Sequence, residues 1–267
     1  MNRNPTKFLL WLWLATALLF AVAPGLDLWV AGLFYDHAGN GFYLDGIPAL
    51  QMLREIIWAS ANILVLGVIL YTLLNLYSRK PTQIPGRFWA FCLTLIALGP
   101  GLLVNVILKD QWGRARPADV MEFGGLAEFT PPWQLADQCV SNCSFVSGEA
   151  AGAITAAIIA GLFLWNMIPH RQRHWLLLAC LSFALIGSGM RIMMGRHFLS
   201  DVVWSFVLIS SLAIWLGSIF RISKLLPRMT YTALRSDAAT VQKIAEGLVT
   251  ASMPVTRRVS RIVRRLQ

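Results

Sequence analysis

Apolar residues in this chain are gathered into six long runs that are separated by shorter polar segments. The runs cover about 8–24, 56–77, 88–108, 150–168, 175–190 and 201–220. Each approaches the roughly 20 mostly apolar residues that a helix needs to cross a bilayer. The pattern therefore predicts an all-α, polytopic membrane protein, with a six-transmembrane-helix bundle over residues 1–220 and a tail over 221–267.

The composition agrees with a membrane protein. Hydrophobic types make up 57% of the 267 residues and charged types only 13%, whereas about a quarter of the residues in soluble domains are charged. This excludes a soluble globular enzyme and a disordered chain. The first run has a second interpretation, because Arg3 and Lys7 precede it and Ala21-Val22-Ala23 resembles a signal-peptide cleavage site. We favour a retained helix.

The basic residues predict the orientation of the bundle. With a cytoplasmic N-terminus, 17 of the 23 Lys and Arg residues fall in cytoplasmic segments, as the positive-inside rule requires. The six on the outer side are Arg54, Lys109, Arg114, Arg116, Arg191 and Arg196. Five of these lie in the windows 109–116 and 191–196. Basic residues on the disfavoured side need a local reason, and an anionic ligand is one.

The tail carries most of the net charge of +10, because residues 221–267 hold ten basic and two acidic residues. Within 255–266, valine, isoleucine and leucine share one helical face and arginines occupy much of the rest. We predict a basic amphipathic helix on the anionic cytoplasmic leaflet. Nucleic-acid binding is disfavoured, since no aromatic residues or known module accompany the arginines. Residues 229–252 are interpreted as a mobile or partly helical linker.

A long loop on the outer side is acidic and contains two cysteines. Residues 118–145 include no Lys or Arg, and the length of this segment suits a lid. Cys139 and Cys143 could form a short disulfide on an oxidising face. Two free thiols are the alternative, and the sequence does not decide between them.

Three polar clusters fall on this same face. In the first, Lys109 and Arg116 are seven residues apart, which would place them near one face of a helix that Pro117 ends. Two cations suit a doubly charged phosphate, although snorkelling at a helix end would explain them too. In the second, Ser147 and Gly148 open a helix and offer a hydroxyl and free N–H groups to an anion. A simple N-cap is the alternative.

The third cluster joins the fifth and sixth runs and contains a possible nucleophile. His197 and Asp201 are four residues apart, so on a helix they would share a face. The carboxylate could then accept a hydrogen bond from one ring nitrogen and leave the other nucleophilic. A capping aspartate with an incidental histidine is the alternative. The placement of all three clusters on one face favours a single site.

Together these residues resemble the membrane branch of the type 2 phosphatidic acid phosphatase superfamily. The family pattern is Lys-x6-Arg-Pro, then Pro-Ser-Gly-His, then Ser-Arg-x5-His-x3-Asp. The matching positions are Lys109, Arg116, Pro117, Ser147, Gly148, Arg191, His197 and Asp201. The order and the spacing agree, and the resemblance covers about residues 8–220.

The resemblance implies a role for each matched residue. His197 would attack phosphorus and form a phosphohistidine, and Asp201 would orient its ring. The phosphate oxygens would be bound by Lys109, Arg116, Ser147, the Gly148 N–H and Arg191. Family members need no metal or other cofactor, so none is expected. Their substrates are lipid phosphates and pyrophosphates.

This sequence departs from the family pattern at three positions. Val146 replaces proline and Met190 replaces the serine before Arg191. Glu149 stands where the family has the histidine that protonates the leaving group. A glutamic acid does the same work if burial keeps it protonated, whereas nearby arginines favour its ionised form. Either Glu149 is a working acid, or the activity is lost or changed.

We therefore expect a metal-independent lipid phosphatase in a bacterial inner membrane, with cytoplasmic termini and a periplasmic site. Lipid A or an isoprenyl pyrophosphate is the preferred substrate. One alternative is a phosphotransferase that passes phosphate from His197 to another lipid. The other is a non-catalytic protein that binds or transports a lipid phosphate.

Overall fold

The computed structural model describes residues 5–39, 41–77, 82–243 and 246, and within these ranges the chain is almost wholly helical. The main helices are α1 Pro5–Val22, α2 Leu26–Gly32, α3 Pro48–Tyr77, α4 Gly86–Gln111, α5 Gly148–Leu164, α6 Arg173–Met193, α7 Leu199–Ile219 and α8 Ile222–Leu225. A further helix covers 231–243. Short 3-10 turns occur at Pro117–Asp119, Met121–Phe123, His170–Gln172 and Leu226–Arg228.

One small antiparallel hairpin follows α2. Its strands are β1 Tyr35–Asp36 and β2 Gly41–Phe42, with Tyr35 opposite Phe42 and Asp36 opposite Gly41. The aromatic rings of the hairpin pack on Phe123 of the long loop. The hairpin thus anchors that loop at the end of the bundle where the polar clusters lie.

Each of the six predicted apolar runs coincides with a helix, which confirms the all-α prediction. Among the described residues, α3, α4, α6 and α7 are long and apolar enough to cross a membrane. The first run coincides with α1, and the shorter α2 follows it at an angle of 79°. Helix α5 is shorter, with 17 residues. The count of six membrane crossings therefore stays a prediction.

Helix α5 lies at the centre of the bundle and packs on α3, α4, α6 and α7. Small residues allow this close packing. For example, a Cβ atom at Gly187 of α6 would lie 3.0 Å from Ile57 of α3 and 3.3 Å from Ala153 of α5. Helix α3 is peripheral instead, since only 11% of its apolar window is buried within the chain. Its apolar side chains are therefore exposed, as is typical of a helix at the lipid-facing edge of a bundle.

The last part of α4 departs from α-helical geometry before the first polar cluster. Residues Ala97–Leu108 form a π-helix that contains Pro100, and α4 ends at Gln111. Gly113 follows with φ +67°, and a Cβ atom there would overlap the Ala136 carbonyl. The prediction that Lys109 and Arg116 share one continuous helix is therefore wrong, because the chain turns sharply between them.

The long loop is fixed to the bundle by several hydrogen bonds. Trp112 Nε1 donates to Pro132 O at 2.9 Å, and the Trp112 carbonyl accepts from the Ala136 N–H at 3.0 Å. Cys139 and Cys143 form a disulfide with their Cα atoms 5.6 Å apart. The disulfide resolves the choice that the sequence left open.

The beginning of the tail packs on the opposite end of the bundle. Ile222, Leu225, Met229 and Ala233 join the buried cluster around α4. The buried Asp237 carboxylate accepts hydrogen bonds from Tyr71 Oη at 2.5 Å, Gln83 N at 2.7 Å and Ile84 N at 2.9 Å. The interpretation of 229–252 as a mobile or partly helical linker is therefore wrong about mobility for 231–243, because this segment is a docked helix, whereas the helical part of the interpretation holds there. The amphipathic helix predicted over 255–266 lies outside the described residues.

Candidate active site

Four segments meet at one end of the bundle and bring the three polar clusters together. They are the C-terminal end of α4, the long loop after it, the N-terminal turn of α5, and the connection between α6 and α7. Each segment ends or begins where the sequence changes from apolar to polar. The site is therefore built from helix ends, where backbone N–H and carbonyl groups are free to bind polar partners.

His197 lies in the tight connection between α6 and α7. Its N–H donates to the Arg191 carbonyl at 3.1 Å. Gly195 shapes this turn with φ +65°, and a Cβ atom there would overlap the Phe42 ring. The His197 side chain is 2% exposed, so its position is determined by packing as well as by hydrogen bonds.

The Nδ1 atom of His197 donates to the backbone carbonyl of Ser144, with 2.8 Å between the two atoms. Asp201 Oδ2 is farther from Nδ1, at 3.6 Å. The two side chains form the expected pair, but they do not share one helical face, because His197 precedes the first residue of α7 and Asp201 lies within its first turn. The carbonyl nevertheless fixes the same tautomer, with a free lone pair on Nε2.

His197 is neutral at physiological pH. Burial, with smaller contributions from the nearby Lys109 and Arg191, lowers its pKa to about 4 despite the opposing effect of Asp201. A neutral imidazole keeps the lone pair that a nucleophile needs. Burial therefore suits this ring to act as a nucleophile rather than as a general acid.

Asp201 is held by a buried ionic network that the motifs do not include. Arg114 Nη1 donates to Asp201 Oδ1 at 2.6 Å, and Arg114 Nη2 donates to Asp27 Oδ2 at 2.8 Å. All three side chains are fully buried. Asp201 Oδ2 accepts from Ser144 Oγ at 2.5 Å and from the Phe198 N–H at 2.8 Å. Asp201 thus joins the start of α7 to the loop residue whose carbonyl binds His197.

Lys109 and Arg116 converge on Asn142 although no helix connects them. Lys109 Nζ donates to Asn142 Oδ1 at 2.9 Å, and Arg116 Nη2 donates to the Asn142 carbonyl at 2.7 Å. Burial and the nearby Arg196 lower the pKa of Arg116, but a guanidinium starts so high that it stays charged. The two cations therefore face the same small region, as the sequence predicts.

Ser147 and Gly148 form the N-terminal end of α5. Ser147 Oγ accepts from the Ala150 N–H at 3.3 Å, so the serine is the N-cap that was the simpler alternative. A Cβ atom at Gly148 would lie 2.7 Å from Asn105 Oδ1 and 3.2 Å from Lys109 Cε. A larger residue at this position would crowd the side chains of Asn105 and Lys109 where they pass the start of α5.

Glu149 is bound by two arginines. Arg54 of α3 contacts both carboxylate oxygens, with Nη2 2.8 Å from Oε1 and Nε 3.1 Å from Oε2. Arg191 Nε lies 3.5 Å from Oε2. Arg54 therefore belongs to the cluster, although the sequence identified it only as a basic residue on the disfavoured side.

The structure brings every predicted site residue into one connected cluster. Asn142 links Lys109 to Arg116, and the backbone N–H of Ser147 donates to the Asp201 carbonyl at 3.3 Å. Cations outnumber carboxylates around His197, which suits a multiply charged anion. No group of three or more His, Cys, Asp or Glu side chains that could hold a metal occurs in the described part of the chain.

Sequence reasoning missed several residues that shape the site, namely Asp27, Arg54, Arg114, Asn142, Ser144 and Ser200. Arg54 and Arg114 carried a signal, since both are basic residues on the outer side. Asp27 carried a weaker one, because an acidic residue beside an apolar run is rare without a partner. The polar loop residues carried no signal that sets them apart.

Comparisons with known proteins identify the family of the chain. The family model described as the PAP2 superfamily matches residues 87–223. A Rhizobium leguminosarum protein named lipid A 4'-phosphatase is 33% identical over 210 residues, which are 73% of this chain and 87% of that protein. A Francisella tularensis subsp. novicida (strain U112) protein of the same name is 33% identical over 204 residues, or 74% of this chain and 88% of that protein.

One solved structure is also similar, the transmembrane PAP2-type phosphatidylglycerolphosphate phosphatase from Bacillus subtilis. It has a TM-score of 0.49 and 17% identity, over 81% of this chain and 95% of that chain. The family model covers just over half of the present chain, and the two relatives match most of their own length. The family model and these two relatives show that the chain belongs to the PAP2 superfamily.

Proposed function

We propose that this membrane lipid phosphatase hydrolyses a phosphate ester of lipid A through a phosphohistidine at His197. The observation that carries the mechanism is the buried imidazole, whose Nδ1 is committed to the Ser144 carbonyl at 2.8 Å. Its free Nε2 lies in a cluster that also contains Lys109, Arg116 and Arg191. These cations offset the negative charge that develops on a transferring phosphoryl group.

The reaction proceeds in two displacements. Nε2 of His197 attacks phosphorus as the bond to the sugar oxygen breaks, and the leaving alkoxide takes up a proton. Water, as the second nucleophile, then breaks the phosphorus–nitrogen bond, so that inorganic phosphate leaves and the imidazole is neutral again. Asp201, which is bound by Arg114, holds Ser144 and the first turn of α7 in place. Glu149 lies beside the phosphate ligand Arg191.

Lipid A is proposed because both curated relatives described above are named for it, at 33% identity and over most of their length. An isoprenyl pyrophosphate would fit the same cations. A phosphotransferase would use the same histidine but would need an acceptor lipid. Both alternatives are outcomes of the test below.

The test is phosphate release from a panel of purified lipids in detergent. We expect release from lipid A by the wild type and none by His197→Ala. The matched control is His174→Ala, because His174 is exposed and belongs to α6 at the end away from the site. Release that persists in His197→Ala would refute the mechanism. Preference for a pyrophosphate, or a need for an acceptor lipid, would refute the proposed substrate or reaction.

We also propose that the site faces the periplasm and that the predicted basic helix over 255–266 contacts anionic lipid on the opposite, cytoplasmic side. The distribution of basic residues supports this orientation, and so does the disulfide in the loop beside the site. In a Cys180→Ser background, a membrane-impermeant maleimide should label Trp133→Cys in intact cells and should not label Arg228→Cys. The reverse pattern would refute the orientation.

A further inference from the structure

A carboxylate occupies the site where the family pattern has a histidine, and it is held by a helix outside the three motifs. Both oxygens of Glu149 accept hydrogen bonds from Arg54 of α3, at 2.8 Å from Nη2 and 3.1 Å from Nε. The planar fork of a guanidinium matches the two oxygens of a carboxylate at once. Arg191 of α6 adds a second positive charge, with its Nε 3.5 Å from Oε2.

These surroundings require the ionised form of Glu149. A guanidinium has only donors, so a protonated carboxyl group would have to turn its O–H toward groups that cannot accept it. Glu149 also lies in the first turn of α5, where the helix dipole favours negative charge. In the described part of the chain, all hydrogen bonds to this carboxylate come from Arg54.

The other charged groups around Glu149 act in the same direction. Lys109 of α4, Arg116 of the long loop and His197 all lie close enough to interact with it electrostatically. The first two are cations, and a protonated His197 would be a third. Among the described residues, the ion pairs and hydrogen bonds of the Glu149 carboxylate are all with arginines.

Arg191 depends on Glu149 for its position. Its Nε is buried and has no hydrogen-bond partner among the described residues, so the carboxylate 3.5 Å away is its counter-charge. The Arg191 carbonyl accepts from the N–H groups of Arg196 at 2.9 Å and His197 at 3.1 Å. A shift of Arg191 would therefore disturb both a phosphate ligand and the backbone that carries the nucleophile.

We propose that Arg54 and Glu149 are positioning residues whose ion pair fixes Arg191 in the phosphate pocket, and that Glu149 is not the proton donor to the leaving group. The leaving alkoxide instead takes its proton from water, and the hydroxide produced is available to attack the phosphohistidine. The proposal rests on the phosphatase function proposed above.

The first test reads the charge of Glu149 directly and needs no activity. Infrared difference spectra are recorded between the purified wild type and Glu149→Gln at neutral pH. We expect the variant to lose a carboxylate band. Loss of the carbonyl band of a protonated carboxylic acid would overturn the proposal. Because no substrate is present, this result is independent of whether lipid A is the substrate.

The second test compares kinetics of lipid phosphate hydrolysis. Glu149→Gln and Arg54→Gln should each lower kcat/KM by about 10- to 100-fold through misplacement of Arg191. The double variant should lose no more than the worse single variant, since both break one ion pair. The alkaline limb of the pH–rate profile should be unchanged in Glu149→Gln.

Two matched controls test whether charge removal alone explains these losses. Glu55→Gln removes an exposed carboxylate from the residue that follows Arg54 in α3. Arg87→Gln removes an exposed guanidinium at the start of α4. Both should keep wild-type kinetics. A Glu149→Gln enzyme that lacks the alkaline limb, while Arg54→Gln is nearly normal, would show that Glu149 is the acid and would overturn the proposal. Release that does not depend on His197 would refute the proposed function instead.

Discussion

Replacing Arg114 by methionine should destabilise the protein strongly, although this side chain is not part of the phosphate pocket. The guanidinium is fully buried between Asp27 and Asp201, and its Nε also donates to the Thr130 carbonyl at 2.8 Å. Its carbon Cζ lies 4.4 Å from the centre of the Phe198 ring. Methionine fills similar space but leaves two buried carboxylates without a counter-charge.

The expected loss follows from that arrangement. Removing one partner of a buried ion pair costs about 3–5 kcal/mol, because the remaining charge is left uncompensated. For a chain of this size, such a loss lowers Tm by about 6–20 °C. The assay is thermal unfolding of the purified protein in a mild detergent, followed by intrinsic fluorescence.

Two further variants make this prediction specific. Arg196→Gln removes a cation on the same face that has no ion pair within the described chain, and it should leave Tm nearly unchanged. Adding Asp27→Asn to Arg114→Met removes one of the two buried carboxylates that have lost their counter-charge. The double variant should therefore be more stable than Arg114→Met alone. An Arg114→Met protein with wild-type Tm would refute the ionic network as the support of Asp201.

Three other predictions concern the site and the tail. Gly148→Ala should lower phosphatase activity, because its Cβ would displace Lys109, whereas Gly152→Ala on the same helix should be tolerated, since its Cβ would meet only a Trp58 ring atom at 3.7 Å. The pKa of His197 lies near 4 rather than the ordinary 6.5, so protonation favours the unfolded chain. Its contribution to the free energy of unfolding should fall by about 2 kcal/mol between pH 7 and pH 5. The free energy of unfolding, measured at both pH values, should therefore fall by about 2 kcal/mol less in His197→Gln than in the wild type. Truncation after residue 243 should preserve turnover, whereas truncation after residue 228 should lower Tm, because it removes Asp237 and its three hydrogen bonds. Equal unfolding temperatures for the two truncations would contradict the docking of 231–243.

Hydropathy predicted the helices well because a bilayer imposes length and composition on each span. It could not predict where the ends turn. Gly113 adopts a left-handed conformation between Lys109 and Arg116, and His197 precedes α7 rather than lying within it. In both cases the spacing of the motif suggested one helical face, whereas the residues meet through a turn and a loop.

The residue types at the site were predictable, but their supporting contacts were not. Arg114 could be recognised as a basic residue on the disfavoured side. Its partners Asp27 and Asp201 are each 87 residues away along the chain, so only the fold pairs them. Likewise, the Ser144 carbonyl that binds His197 is a backbone group, and no sequence pattern assigns a partner to a backbone oxygen.

The phosphatase account depends most on covalent capture of phosphorus by His197. The direct measurement is to mix the purified enzyme with lipid A labelled with ³²P, quench rapidly in alkali and identify the labelled peptide. The account predicts an acid-labile, alkali-stable label on the peptide that contains His197, and no label in His197→Ala. Phosphate release without any label, or a label on a different residue, would contradict it.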